Sequence, residues 1–189
     1  MSSHHIVREK QEPALLVLGL NSFSDELLGQ LLEWSPTVIV TNQTAESVNA
    51  YGIKIDWIIA AEFNDQLQSD MKWMPANEAE LIENSLKYLV DHNYPAVNII
   101  TDEFELNDYL DFCDKIDMVI FYDNKKIYCV NSGFSKWKPT GDIIEFLSEP
   151  QQFHSSGLIM LSHNRYQTTN DGFFSIQFEQ PFIFIAEEL

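Results

Sequence analysis

Three oxygen-bearing side chains follow a predicted strand and are the first candidates for metal chemistry. The segment Asp56–Ala60 (DWIIA) is typical of a buried strand, and Glu62, Asn64 and Asp65 come shortly after it. Ligands of open α/β sheets bind beyond the carboxyl ends of the strands, and carboxylate and amide oxygens suit Mg²⁺. A solvated acidic loop has the same composition, so both interpretations stand at this point.

The rest of the chain carries no complete catalytic signature. Glycine-rich phosphate loops, HExxH, GxSxG and CxxC are absent from the sequence. Asp102 and Glu103 follow another predicted strand and have the same two interpretations as the first acidic loop. Trp137 lies between Lys136 and Lys138 with few apolar neighbours. An exposed tryptophan there can stack on a flat cation or pack across a dimer interface.

The charge of the chain excludes several classes of partner. Its 189 residues include 29 Asp and Glu against 11 Lys and Arg, a formal net charge of -18. Binding to nucleic acid depends on cationic groups that displace counterions, so we expect no nucleic acid and no anionic membrane as partner. ATP would need divalent cations to bind. With a polar N-terminus and no apolar run of about 18 residues, the sequence predicts a globular, cytoplasmic protein.

The first half of the chain alternates strands and helices. Short apolar runs separated by amphipathic segments predict a mostly parallel sheet with helical crossovers. The predicted strands are Ala14–Leu20, Thr37–Thr41, Asp56–Ala60 and Val97–Thr101. A first predicted helix begins after Ser24 as its N-cap, and three more are predicted over Thr44–Tyr51, Asn77–His92 and Asn107–Cys113. The fold class is therefore α/β in this half.

The second half has strand-length apolar segments and no helical period. Turns rich in Asn, Asp, Gly and Pro separate the segments, which is typical of an antiparallel β-sandwich. The predicted strands are Met118–Tyr122, Lys126–Val130, Asp142–Leu147, Gly157–Leu161, Phe173–Phe178 and Phe182–Ala186. We therefore expect an α/β domain over residues 1–116 and a sandwich domain over residues 117–189.

The order of these parts resembles the thiamine pyrophosphokinase family. The most similar stretch is Trp34–Ala60, in which Gly52-Ile53-Lys54-Ile55-Asp56 corresponds to the family's Gly-Ile-Lys-Pro-Asp. Glu83-Asn84-Ser85-Leu86 resembles part of a family helix, Gly141–Ser148 a sandwich strand, and Ser162-His163-Asn164 a family Ser-Asn. The resemblance implies an α/β domain, a sandwich, a homodimer, and a reaction in which ATP and thiamine give thiamine diphosphate and AMP.

The resemblance also assigns site positions, most of which carry substituted residues. Asn42 stands at the family's Asp-Gly-Gly. With one inserted residue, Glu62, Asn64 and Asp65 stand at its metal-binding Gly-Asp-x-Asp-Ser, whereas with no insertion Ala61 and Phe63 stand at the two aspartates. Glu105 replaces an arginine. Asn107 replaces an aspartate, and on the thiamine side the candidates are Trp137, Ser162 and Asn164. Mg²⁺ and ATP are the implied cofactors of an active member.

Three functions follow from this pattern of similarity and substitution. The first is a diverged thiamine pyrophosphokinase relative, impaired in catalysis, that binds a small molecule or a partner. The second is an active enzyme with a rebuilt Mg²⁺ site, and the third is a non-enzymatic α/β interaction protein. The expected ligand is thiamine or a related flat cation. The aromatic C-terminal strands and Trp137 predict a homodimer formed through the sandwich.

Overall fold

The chain divides into two compact units. The computed structural model describes residues 12–21, 23–62, 70–77 and 80–189. The division falls between Met118 and Val119. Within the described residues, no helix is long and apolar enough to span a membrane.

The first unit is a parallel sheet with helical connections. Its strands are β1 (Ala14–Val17), β2 (Val38–Thr41), β3 (Trp57–Ala60), β4 (Lys72–Pro75) and β5 (Ala96–Ile100). Its helices are α1 (Asp25–Leu32), α2 (Asn42–Ala50), α3 (Leu81–Asp91) and α4 (Asn107–Leu110). The strand order is β5-β1-β2-β3-β4, and every neighbouring pair is parallel. The predicted α/β class is confirmed.

Local chemistry accounts for the position of most of these elements. All residues of β1 and β2 are buried, as expected of strands covered on both faces. The predicted N-cap of α1 is confirmed: Leu27 N donates to Ser24 Oγ at 3.2 Å. Gly52 follows α2 with a φ of +71°, a conformation that glycine adopts without strain.

The sheet reverses its direction of growth beside β1. The chain passes from β1 through β2 and β3 to β4 at one side, and α3 then leads to β5 on the other side of β1. The strand order therefore reverses at the pair of β1 and β5. Such a switch point opens a crevice in α/β sheets, which makes this edge the place to look for a site.

Several boundaries in the first unit differ from the sequence prediction. β4 is a strand that the sequence did not predict, because Lys72–Pro75 is largely exposed and lacks an apolar run. α2 begins at Asn42 instead of Thr44. α3 begins at Leu81 instead of Asn77, and α4 ends at Leu110 instead of Cys113.

The second unit is an antiparallel β-sandwich, as predicted. Its strands are β6 (Asp117–Tyr122), which begins just before the division, β7 (Lys125–Val130), β8 (Ser135–Lys138), β9 (Ile143–Phe146), β10 (His154–Ser156), β11 (Leu158–Ser162), β12 (Arg165–Thr168), β13 (Gly172–Gln177) and β14 (Ile183–Glu188). One layer has the order β11-β12-β9-β14-β7-β6 and the other the order β10-β13-β8. Apolar side chains from both layers form one core, which includes Ile144, Phe146, Phe174, Ile176 and Ile185.

The prediction of six strands in this half was incomplete, since β8, β10 and β12 are also strands. β8 was missed for a physical reason. Its Lys136 and Lys138 are partly buried, whereas Trp137 between them is 54% exposed. A strand with lysines turned inward and tryptophan turned outward inverts the usual apolar alternation.

Candidate functional site

A cleft of about 390 Å³ opens at the carboxyl ends of β1, β2 and β5. Leu18 and Asn21 line it from the loop after β1. Thr41 and Gln43 line it from the start of α2. The remaining lining residues are Leu81 and Ile82 at the start of α3 and Thr101, Asp102, Glu103, Phe104, Glu105 and Asp108 after β5. The cleft therefore lies at the switch point of the sheet, where ligands of this fold class bind.

The loop after β1 is bonded tightly to the loop after β5. The backbone amides of Leu18 and Gly19 donate to Ile100 O at 2.8 and 3.2 Å. The amide of Asn21 donates to both carboxylate oxygens of Asp102, at 3.0 and 3.3 Å. Three amides that could otherwise bind an anionic ligand are thus already engaged within the protein.

Gly19 is required for this close approach of the two loops. A Cβ placed on Gly19 would lie 2.3 Å from Asp102 Oδ2 and 2.6 Å from the Asp102 amide nitrogen. A side chain at position 19 therefore cannot coexist with Asp102 in its observed place. The glycine makes room for a carboxylate here, in contrast to glycines that let a backbone approach a phosphate.

Thr44 ties the start of α2 to the sheet. Its hydroxyl donates to Val17 O at 2.8 Å and accepts from the amide of Thr41 at 3.1 Å. Both Thr41 and Thr44 are buried. The amide at the end of β2 is therefore also satisfied internally, at the place where the resemblance puts glycines.

Negative charge dominates the cleft. Four of the described residues that line it are carboxylates, namely Asp102, Glu103, Glu105 and Asp108, and none of these described residues is Lys, Arg or His. An adjoining groove of about 750 Å³ shares Ile82, Glu103 and Asp108 with the cleft, and two lysines, Lys87 and Lys115, accompany its five carboxylates. A surface of this charge repels a polyphosphate and attracts a cation.

A buried tyrosine beside the cleft has no counterpart in the sequence analysis. Tyr109 on α4 is fully buried, and its hydroxyl has no hydrogen-bond partner among the residues that the structure describes. Burial, and to a lesser degree Asp108, raises the pKa of Tyr109. Its ring stacks on Phe104, which lines the cleft, with centroids 5.5 Å apart. A single tyrosine in a short helix gives no sequence signal of this burial.

The predicted metal residues are only partly visible. Glu62 follows β3 and is exposed, and Asn42 Nδ2 donates to its backbone oxygen at 3.4 Å. Asn64 and Asp65 lie outside the described residues. Among the residues that are described, no three His, Cys, Asp or Glu side chains are grouped as metal ligands. The described side chains alone therefore do not form a Mg²⁺ site, and the amides of Leu18, Gly19 and Asn21 are engaged within the protein.

The other predicted positions fall at four places. Glu105 lies in the cleft, where its charge is the reverse of the family's arginine, and Asn107 lies in the adjoining groove. Trp137 is on the outer face of β8. Ser162 ends β11, and Asn164 turns the hairpin between β11 and β12 with a φ of +62°. Trp137 and Asn164 thus belong to different layers of the sandwich.

Trp137 has an aromatic partner that the sequence analysis did not single out for it. Phe173 on β13 is the cross-strand neighbour of Trp137. Both side chains project from the outer face of their layer, and Phe173 is 71% exposed. Directly opposed residues of an antiparallel strand pair lie next to each other on one face of the sheet, so the two side chains form an exposed apolar patch, named here the aromatic pair.

Comparison of the fold with known proteins gives a consistent answer. Thiamin pyrophosphokinase from Geobacillus thermodenitrificans matches 93% of this chain and 96% of its own, with a TM-score of 0.71 and 10% identity. The Bacillus subtilis enzyme matches 94% of this chain and 99% of its own, with a TM-score of 0.66 and 11% identity. The Candida albicans enzyme matches 94% and 90%, with a TM-score of 0.65 and 12% identity.

Comparison of the sequence gives no match. No family model matches the chain, and no curated protein matches it. Identities of 8 to 12% with the structural neighbours agree with strong divergence. The resemblance noted in the sequence is confirmed at the level of the architecture, because the neighbours align with nearly all of this chain. With an α/β unit followed by a β-sandwich, the chain has the fold of the thiamin pyrophosphokinases.

Proposed function

We propose that this chain is a diverged relative of the thiamine pyrophosphokinases that does not transfer pyrophosphate and instead binds a small flat cation. The observation that carries the loss of pyrophosphate transfer is the cleft at the ends of β1, β2 and β5. Its carboxylates have no cationic neighbour among the described lining residues, and three amides beside it are bonded within the protein. Pyrophosphoryl transfer needs cationic or backbone donors around the triphosphate in addition to carboxylates that hold Mg²⁺.

Weak binding of nucleotide is the first expected result. ATP with excess Mg²⁺ should bind two to four decades more weakly than at a site with an arginine in place of Glu105, since one charge-assisted contact is lost and a repulsion is added, on the order of several kcal/mol. Isothermal calorimetry measures this affinity. A coupled assay with ATP, Mg²⁺ and thiamine should give no AMP above background.

A matched pair of variants makes this test specific. Glu105→Gln should improve nucleotide binding because it removes a negative charge from the cleft, whereas Glu188→Gln, an exposed change in the second unit, should leave it unaltered. A micromolar dissociation constant for ATP in the unaltered chain, or clear formation of AMP, would overturn the proposal and favour the active enzyme.

Binding of a flat cation is the second expected result. The aromatic pair offers two adjacent exposed aromatic side chains to a ligand such as thiamine, and a cation over an aromatic face gains about 0.5 to 2 kcal/mol. Trp137→Ala and Phe173→Ala should each weaken thiamine binding about three- to thirtyfold. Trp34→Ala, which removes an exposed tryptophan from the first unit, is the matched control.

Asn164 is tested in the same titration. It lies in a different layer from Trp137, so a ligand on the aromatic pair predicts that Asn164→Ala has little effect. Tryptophan fluorescence and calorimetry report the binding. Absence of any saturable change up to millimolar thiamine would contradict this part of the proposal.

A second copy of the chain is the other candidate for the aromatic pair. Exposed Ile159, Met160 and Leu161 on β11 add apolar surface to the same unit, and contiguous exposed apolar surface is typical of association sites. We propose a homodimer formed through the sandwich. Sedimentation velocity should show a dimer at micromolar concentration that Phe173→Ser weakens, and a monomer in the unaltered chain would contradict it.

A further inference from the structure

A cluster of hydrogen-bonded and charged side chains connects strands of the two layers of the sandwich. It consists of Lys126, Tyr128, Lys136, Lys138 and Glu187, named here the polar layer. Glu187 is 4% exposed. Its carboxylate accepts from Lys136 Nζ at 2.7 and 2.9 Å, from Lys138 Nζ at 3.0 Å, and from the Tyr128 hydroxyl.

Lys126 is the member of this layer without a counterion. It lies directly across the strand pair from Glu187, and strand alternation places it on the same face as Tyr128. Both oxygens of Glu187 are already bound by the other members. Among the described residues, no hydrogen bond or ion pair is made by the Lys126 ammonium group.

The surroundings of Lys126 disfavour its charged form. Lys136 and Lys138 face it from β8, Glu187 from β14 and Tyr128 from its own strand, whereas its cross-strand neighbour on β6 is the uncharged Phe121. Burial first, and then the two ammonium groups, lower the pKa of Lys126 against the opposing attraction of Glu187. Asp142 offers little relief, since it pairs with Lys138 at 3.1 Å.

We infer that Lys126 is a nucleophilic amine and the preferred site at which this chain is acylated by activated acyl groups, either acyl phosphates or acyl thioesters. The uncharged Nζ attacks the acyl carbon, and a C–N bond forms. The bond from the acyl carbon to phosphate oxygen or thioester sulfur breaks, so phosphate or thiolate leaves with the bonding pair. The amine proton passes to water.

The product is compatible with the fold because no ion pair is lost. An amide at Lys126 removes one of three positive charges around a single carboxylate, and the bonds of Lys136, Lys138 and Tyr128 to Glu187 remain. Acylation of Lys136 would have the contrary effect, since it would withdraw the closest partner of a buried charge.

The test compares Lys126 with its neighbour Lys125. Lys125 lies on the opposite face of β7 and pairs with Glu145 at 2.8 Å. The full chain is treated with acetyl phosphate in one arm and acetyl-coenzyme A in the other, over about pH 7 to 10, and peptide mass spectrometry measures the initial rate at each lysine. Near pH 8 we expect Lys126 to react more than about twofold faster than Lys125, since a lowered pKa leaves a larger fraction of its amine uncharged.

The two arms and two variants decide the inference. Preference for Lys126 in either arm supports it and identifies the acyl donor; rates at Lys126 and Lys125 that agree within about twofold in both arms overturn it. Lys138→Gln removes a neighbouring positive charge and should slow Lys126, whereas Lys54→Gln in the first unit should not. If Lys138→Gln fails to fold, the pH profile of the unaltered chain suffices: Lys126 must reach its maximal rate at a lower pH than Lys125.

Discussion

Replacing Glu187 with leucine should destabilise the sandwich by about 3 to 5 kcal/mol. The substitution leaves Lys136 and Lys138 without their shared carboxylate inside the protein, and an uncompensated buried charge is costly. Lys138 keeps Asp142 as a partner at 3.1 Å, whereas Lys136 keeps the neutral Tyr128 hydroxyl, also at 3.1 Å. Guanidinium unfolding followed by circular dichroism measures the loss, and Trp137, the one tryptophan of the second unit, reports on it by fluorescence.

Glu188→Leu is the matched control for this substitution. Glu188 is adjacent in sequence but exposed, so the same change there should alter stability by no more than about 0.5 kcal/mol. Equal effects at both positions would mean that the buried carboxylate does not hold the polar layer together.

Acid sensitivity gives a second measure of the same carboxylate. Burial acts to raise the pKa of Glu187, but the hydrogen bonds from Lys136, Tyr128 and Lys138 outweigh it, and the net shift is downward. A lowered folded-state pKa contributes stability that is complete above the unfolded-state value of about 4.3 and is lost as the pH falls through the folded-state value. Glu187→Gln should therefore flatten the decline in stability below about pH 4.3; an unchanged acid limb would contradict this.

Replacing Gly19 with alanine should destabilise the first unit by about 2 to 4 kcal/mol. The added methyl group cannot fit beside Asp102, so the loop after β5 must move and the two bonds from Asn21 N to the Asp102 carboxylate are broken. The displaced backbone includes the Asp102 amide, hence a change of side-chain rotamer alone does not relieve the clash. Chemical unfolding quantifies the effect.

Gly29→Ala is the control because the same change meets no obstacle there. Gly29 lies within α1 and a Cβ on it has nothing within 4 Å. Alanine is favoured over glycine inside a helix by up to about 1 kcal/mol, so this variant should be slightly more stable than the unaltered chain. Opposite signs at positions 19 and 29 are the expected result, and a loss of less than about 0.5 kcal/mol for Gly19→Ala would show that the loops adapt.

Much of the fold could be predicted because burial leaves a direct trace in the sequence. β1 and β2 are uninterrupted apolar runs because both of their faces are covered. Ser24 indicates the start of α1 because its hydroxyl accepts a hydrogen bond from a backbone amide in the first turn of the helix. β8 could not be predicted in this way. Its lysines face inward only because Glu187, some fifty residues away along the chain, supplies their counterion.

The site was harder to predict than the fold. Its position followed from the rule for parallel sheets, and the acidic residues after the fourth predicted strand, Asp102 and Glu103, do line the cleft. The role of Asp102 as a clamp on the loop after β1 depends on a contact across 81 residues, which no local pattern contains. The same holds for the buried Tyr109 hydroxyl and for the pairing of Trp137 with Phe173.

The position of Pro75 in β4 affects whether this edge of the sheet can pair with a strand of another molecule. β4 is the outermost described strand of the parallel sheet, and the amides of Lys72 and Ala76 point toward β3 and donate to Asp56 O and Ala60 O. Backbone amides alternate in direction along a strand, so the positions of Trp73 and Pro75 face away from β3. Proline has no amide hydrogen to donate there. A strand of another molecule that approaches this edge therefore meets a position without an amide donor, Pro75, and the charge of Lys72. Both features disfavour edge-to-edge pairing of sheets into aggregates.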